Sequence, residues 1–290
     1  MEYVTLNTGA KMPLEGFGAM MMTPEDAGKA EETVYEAIKT GYRLIDTAAS
    51  YMNEDAVGRA CRRAIDEGIV TREDLFVVSK LWVQDMKTEE DAAKAIQASL
   101  DKLDLGYIDL YLEHQAMGDY FAAWRAMEKA HKDGKLKAIG VANFFPNVLA
   151  NFCETVEVIP AIDQVELSPF MAQEAALANM RDYGVTPMAW SPLAEGKHGI
   201  FTDPELTAIG EKYGKTAAQV ALRWNTQRGV VIIPKSSNPE RMAQNLDIWD
   251  FELTDEEMAA VTAKDLGKSG IIDHFDPATV KMILGMKIHD

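Results

Sequence analysis

Eight short apolar runs recur along the chain at near-even spacing, and that rhythm limits the fold more than any other feature. They begin near Gly16, Leu44, Leu75, Tyr107, Leu136, Ala161, Thr186 and Val230, in steps of 28, 31, 32, 29, 25, 25 and 44 residues. Each step holds one strand, one helix and two short loops. The last step holds two helices, roughly Asp203 to Tyr213 and Ala217 to Gln227. Leu75-Phe76-Val77-Val78, Ile139-Gly140-Val141 and Val230-Val231-Ile232-Ile233 are apolar on both faces, as parallel strands buried on both sides are. Between the runs, Glu25 to Thr40 carries Ala30, Val34, Ala37 and Ile38 at helical spacing, opened by Thr23-Pro24 and closed before Gly41. Thr88-Glu89-Glu90-Asp91 and Thr254-Asp255-Glu256-Glu257 read as capping boxes. Asp133-Gly134 and Tyr183-Gly184 mark helix ends.

Eight strand–helix units of this size predict an α/β fold, a (β/α)8 TIM barrel. Tyr3 to Met12, with Asn7-Thr8-Gly9 in its middle, reads as an N-terminal β-hairpin, and the segment after Ala263 as a C-terminal extension with the extra helices nearby. No linker or shift in composition divides the 290 residues, so one barrel domain over 1–290 is expected. A doubly wound sheet is the rival. It would normally carry G-x-G-x-x-G after its first strand, and Gly16-Phe17-Gly18 continues as Ala19-Met20-Met21.

With 47% hydrophobic and 26% charged residues the chain can bury a large core. Twenty-nine Lys and Arg against 46 Asp and Glu leave a net charge of -17. Such a surface repels phosphate backbones and anionic lipid, so nucleic acid and membranes are poor partners, although one basic pocket could hold a small anion. Cys61 and Cys153 form no CxxC pair and read as buried free thiols in a reducing compartment. The five histidines are scattered without a His-x-His pair, so no metal site is expected. Met1 to Leu6 shows no signal-peptide pattern and no apolar run is long enough to span a bilayer, which predicts a cytoplasmic chain.

Polar residues stand where the candidate strands end: Asp46, Lys80, His114, Asn143, Gln164, Trp190-Ser191 and Lys235-Ser236. Barrel active sites are built at that rim from several strands. A single Asp at a strand end more often caps the next helix. Seven such positions together point to a site.

Here the chain resembles the aldo-keto reductases, NADPH-dependent (β/α)8 enzymes, and in particular their bacterial 2,5-diketo-gluconate-reductase-like branch. Leu44-Ile45-Asp46-Thr47-Ala48 through Tyr51, Asn53-Glu54 and Val57-Gly58 is similar to the family's first signature. Ser79-Lys80-Leu81-Trp82 resembles its lysine strand, Asp109-Leu110-Tyr111-Leu112-Glu113-His114 its histidine strand, and Gly134 through Phe144 its fifth strand. Ile233-Pro234-Lys235-Ser236 through Arg241 and Asn245 resembles its cofactor signature. The likeness runs to about Thr262.

The resemblance implies a catalytic tetrad of Asp46, Tyr51, Lys80 and His114. Hydride transfer to a carbonyl carbon leaves negative charge on oxygen, which must receive a proton. Tyr51 would donate it as general acid, with Lys80 lowering its pKa, Asp46 compensating Lys80, and His114 orienting the carbonyl. It further implies that Asn143 and Gln164 hold the nicotinamide carboxamide, with Ser191 beside it, and that Trp190 stacks on the ring. Lys235, Ser236 and Arg241 would take a 2′-phosphate, which favours NADPH over NADH. Leu193, Gln244 and Asn245 complete the cofactor set, with Gln244 where the family usually has Glu near the adenine. Met20, Met21 and Trp82 would line an apolar substrate pocket, with Ile271 to Asp276 over its mouth. Small aldehydes, dicarbonyls such as methylglyoxal, and keto-sugars are the expected substrates, and a monomer or weak dimer the expected state.

Three further departures stand out. Asp163 precedes Gln164 where Asn is usual, Ser168 replaces a frequent His, and Glu113 sits beside His114 where an apolar residue is common. Two other readings compete: a catalytically weak NADPH-binding sensor or structural protein on the same fold, and a phosphate-binding or metal-dependent barrel of another superfamily.

Overall fold

The computed structural model describes residues 1–20 and 27–289. The chain opens with an antiparallel hairpin, β1 (Tyr3–Thr5) and β2 (Lys11–Pro13), turned through Gly9 at a φ of 85°. Eight parallel strands follow: β3 (Gly16–Gly18), β4 (Leu44–Asp46), β5 (Phe76–Leu81), β6 (Ile108–Glu113), β7 (Leu136–Ala142), β8 (Ile162–Glu166), β9 (Thr186–Trp190) and β10 (Val231–Ile232). They pair in sequence order. The ring closes between β3 and β10. The Ile232 N–H donates to the Leu14 carbonyl at 2.9 Å and the Gly18 N–H to the Pro234 carbonyl at 3.2 Å. A Cβ on Gly18 would sit 2.9 Å from the Ile233 carbonyl oxygen, so the seam requires glycine there. Every strand begins within one residue of the position that the apolar rhythm predicts.

Helices α1 (Ala27–Thr40), α2 (Glu54–Asp66), α3 (Glu89–Leu103), α4 (Tyr120–Lys132), α5 (Pro146–Cys153) and α6 (Glu174–Asp182) fill the first gaps. The wide gap after β9 holds α7 (Pro204–Tyr213) and α8 (Ala217–Gln227), and α9 (Pro239–Leu246) and α10 (Asp255–Thr262) follow β10. The Thr88 hydroxyl accepts from the Asp91 N–H at 3.1 Å, and Thr254 forms a full capping box with Glu257. Gly134 and Gly184 stop α4 and α6 in left-handed backbone, at φ 77° and 68°. The expected opening of α1 at Thr23-Pro24 lies outside the described residues. Within the C-terminal extension, a helix that apolar spacing does not announce, α11 (Pro277–Gly285), packs through Ile283.

Alternation along the strands produces two cores. Leu44, Phe76, Val78, Leu110, Leu112 and Met188 point into the barrel, where Leu6, Met12 and Leu14 of the hairpin segment join them. Ile45, Val77, Tyr111, Ile139 and Val165 point outward beneath the helices. The hairpin thus packs at the end of the barrel where the strands begin, and the opposite rim carries the candidate site. Cys61 and Cys153 are buried free thiols. Among the described residues, no helix is long and apolar enough to cross a membrane.

Candidate active site at the barrel mouth

The parity that puts Leu44, Val78 and Leu112 inside the barrel also turns Asp46, Lys80 and His114 inward. Lys80 is fully buried, an arrangement a lysine tolerates only when its charge is matched. Its Nζ donates to Asp46 Oδ1 at 2.6 Å and to the Thr47 carbonyl at 2.8 Å, and lies 3.5 Å from the Tyr51 hydroxyl. Tyr51 closes a short 3-10 turn over Ala49–Tyr51. That loop is pinned by Asn53, which accepts from the Thr47 hydroxyl at 2.6 Å and donates to the Ala19 carbonyl at 2.9 Å. The His114 ring stands edge-on to Tyr51 at 5.7 Å and to Trp82 at 5.2 Å. Four sequence-predicted residues and Trp82 therefore meet at one place.

Electrostatics in this cluster follow from burial and charge. Burial works against the Lys80 ammonium, yet the charges of Asp46 and Tyr51 outweigh it and hold its pKa above the ordinary lysine value. Burial pushes the Tyr51 phenol above its usual value; Lys80 pulls the other way but does not overcome it. Lys80 thus acts on Tyr51 in the expected direction, but burial, with the charge of Asp46 added to it, outweighs that pull. Burial, then Lys80 and His274, press His114 well below the ordinary histidine range, so its ring is neutral near pH 7.

The rim beyond Lys80 is tied to it. Gln164 donates to Asp46 Oδ2 at 2.9 Å. Asn143 adopts left-handed backbone at φ 62°, which its short amide tolerates. That turn lets it donate to the His114 carbonyl at 3.1 Å and accept from Trp190 Nε1 at 2.9 Å. Asn143 and Trp190 open onto a cavity of about 270 Å³, whose far wall is Ile272, Asp273, His274 and Phe275 of the segment expected over the pocket mouth. Ser191 follows Trp190 at φ 48°. Leu193, Lys235, Ser236, Arg241, Gln244 and Asn245 share a second cavity, of about 530 Å³. Lys235 and Arg241 are exposed there, and among the described residues neither is in an ion pair. Two unmatched cations, a serine and an asparagine around one hollow suit a phosphate-bearing ligand.

Met20 is 49% exposed, one residue after Ala19, whose N–H donates to the Asp46 carbonyl at 2.8 Å. Met21 lies outside the described residues. Two contacts escape sequence reading. Ser50 Oγ lies 3.2 Å from His114 Nδ1, and His274 faces the site from the C-terminal segment. Adjacency to Tyr51 is the one signal for Ser50. Glu113 turns away from the site, on the face of Tyr111, which contacts Ser99 of α3 at 3.0 Å. Both its carboxyl oxygens are buried without a hydrogen-bond partner among the described residues, and burial raises its pKa well above the carboxylate range. Asp163 is also buried and raised, accepting from the Phe144 N–H at 3.4 Å.

Comparison with known proteins agrees with this architecture. The profile of the Aldo/keto reductase family matches residues 16–266. The glyoxal reductase of Bacillus subtilis is 44% identical over 261 residues, covering 90% of this chain and 91% of its own. The morphine 6-dehydrogenase of Pseudomonas putida is 42% identical over 278 residues, 91% of each chain. The methylglyoxal reductase of Escherichia coli is 40% identical over 268 residues, 91% of this chain and 94% of its own. A crystal structure of a Bombyx mori aldo-keto reductase in complex with NADP superposes with a TM-score of 0.88 at 37% identity, covering 94% of this chain and 95% of the other. The chain belongs to the aldo/keto reductase family.

Proposed function

We infer that this protein is an NADPH-dependent carbonyl reductase, with Tyr51 as general acid. The observation that carries this reading is the buried Lys80 ammonium shared between Asp46 at 2.6 Å and the Tyr51 hydroxyl at 3.5 Å, beside a neutral His114. The cofactor, when bound, supplies hydride to the carbonyl carbon. Tyr51 is the proton source for the carbonyl oxygen. Its raised pKa keeps it protonated at neutral pH, and Lys80 stabilises the phenolate left behind. His114, uncharged, donates one ring N–H to the same oxygen and fixes its direction. Asp46 keeps Lys80 charged, and Gln164 holds the second Asp46 oxygen.

Asn143, Gln164 and Ser191 fit the carboxamide end of the cofactor and Trp190 offers its ring face. Leu193, Gln244 and Asn245 fit the adenosine end. Lys235, Ser236 and Arg241 fit the extra phosphate that separates NADPH from NADH. The substrate is a small carbonyl compound. Glyoxal and methylglyoxal, named for two relatives, suit the apolar wall of Trp82. The chain is read as one catalytic domain, cytoplasmic, working as a monomer or weak dimer.

The test is NADPH oxidation by the purified protein with methylglyoxal and glyoxal, alongside Tyr51→Phe and with NADH as control. Turnover that collapses in Tyr51→Phe supports the assignment. NADPH binding without turnover of any carbonyl points to the sensor or structural reading.

A further inference from the structure

The segment after α11 returns across the barrel mouth and fastens to the loop that follows Lys80. Trp82 Nε1 donates to the Met286 carbonyl at 3.0 Å. The Gln84 amide is held from both sides: its Nε2 donates to the His289 carbonyl at 2.9 Å, and its Oε1 accepts from the Ile288 N–H at 2.8 Å. His289 Nε2 stands 2.8 Å from Asp85 Oδ1. Ile283 and Ile288 anchor the segment on the apolar core. Three of the four residues 82–85, namely Trp82, Gln84 and Asp85, are thus engaged by residues 286–289.

These contacts fall beside the catalytic cluster. Trp82 is 5% exposed and packs edge-on against His114 at 5.2 Å, so the indole stands beside the ring that would orient the carbonyl, while Ser50 holds that ring from Nδ1 at 3.2 Å. An indole has one polar atom, and it is a donor. Here that donor is spent on a backbone carbonyl. What the indole leaves for a substrate is carbon. The cavity onto which Asn143 and Trp190 open is lined by Glu166 and Asp273, with Lys268 as its cation, so it offers an anionic group no net positive field.

We propose that residues 286–289 are a strap that positions Trp82 with its indole N–H turned away from substrate, and so selects neutral over anionic carbonyl compounds. Met286, Ile288 and His289 act through Gln84 and Trp82 and touch no reacting atom. The proposal deepens the reductase reading and rests on it for its specificity claim. Releasing the strap frees the indole N–H to meet a substrate carboxylate. One hydrogen bond to a charged group is worth about tenfold or more in affinity.

Two variants release it: Gln84→Ala, which removes both amide contacts, and a chain ended at Gly285. The first readout needs neither cofactor nor substrate. It is deuterium exchange of the Trp82 indole N–H by NMR, its resonance identified by loss in Trp82→Phe. The second is KM and kcat for succinic semialdehyde against its neutral methyl ester. In both variants the indole proton is expected to exchange at least about tenfold faster, as a freed bond does. The KM ratio of anion to ester is expected to fall about tenfold, with kcat for the ester within about twofold. Unchanged exchange overturns the strap. Faster exchange with an unchanged KM ratio overturns the specificity claim. A wild type that reduces no carbonyl sinks the reductase reading and the specificity claim together, while the exchange data separately report whether the strap holds Trp82.

Discussion

Lys80 and Asp46 form an ion pair at 2.6 Å with side chains 0% and 1% exposed, and the two stand on adjacent strands, Lys80 two residues beyond Val78, the register partner of Asp46. A buried pair of this kind adds little net stability, but breaking it strands a charge. Asp46→Asn is therefore expected to cost about 3–5 kcal/mol in urea unfolding at pH 7. Lys80→Met with Asp46→Leu together should cost much less than either single change, because no buried charge is then left alone. A double variant as unstable as the sum of the singles would show that the pair stabilises outright. The pH dependence has a fixed sign. The folded-state pKa of Lys80 is raised, so its contribution is complete below the ordinary lysine pKa and is lost as pH rises through the folded value.

Tyr51→Phe removes one oxygen and leaves the ring that His114 packs against. It should lower kcat/KM by about 10²–10⁴-fold, the span of a general acid. NADPH affinity, measured by fluorescence titration, should stay within about twofold. A variant that loses cofactor binding and turnover equally would assign Tyr51 to the cofactor instead.

How far the sequence anticipates this structure depends on what each feature leaves behind in it. Barrel strands are legible because burial on both faces writes unbroken apolar runs. Asp46, Lys80 and His114 are legible because a polar residue after such a run has one place to go. The state of Tyr51 is not legible, because it turns on how deeply the fold buries the phenol against the pull of Lys80, which the sequence does not show. The Thr47 carbonyl that takes the third bond of Lys80 leaves no trace, since every residue has a carbonyl. The strap at 286–289 is hidden for the same reason: its contact with Trp82 is made by backbone. Helix α11 escapes because a helix buried mainly through Ile283 shows little apolar periodicity.

His114 is held uncharged by burial and by its neighbours Lys80 and His274. The pH profile of kcat/KM is therefore expected to show no ionisation near 6.5. A limb near that pH that disappears in His114→Gln would mean that the imidazole titrates in its ordinary range. The stability linkage runs the other way from Lys80. A depressed histidine contributes above its unfolded-state pKa and loses that contribution as pH falls below about 6.5.

Lys235 and Arg241 offer a test of cofactor preference independent of turnover. Each is expected to make charge-assisted hydrogen bonds to the extra phosphate, worth about 1.5–3 kcal/mol apiece. Arg241→Ala should raise the Kd for NADPH by about 10–100-fold and leave that for NADH nearly unchanged. Equal losses for both dinucleotides would move Arg241 to the shared part of the cofactor.

Glu113 gives the last prediction, which concerns stability. Its carboxyl is fully buried, faces the helix layer and has no hydrogen-bond partner among the described residues. Burial raises its pKa far above the usual carboxylate value, and Asp119 adds to the effect. A folded state that holds this proton while the unfolded chain releases it loses stability as pH rises from about 4 toward the folded pKa. Leucine fills a similar volume without orphaned oxygens. Glu113→Leu should thus stabilise the protein by about 1–3 kcal/mol near neutral pH, with a gain that is larger at pH 8 than at pH 6. Urea unfolding at the two pH values measures both quantities. A loss of stability, or a gain that shrinks as pH rises, would mean that the carboxylate is satisfied in solution.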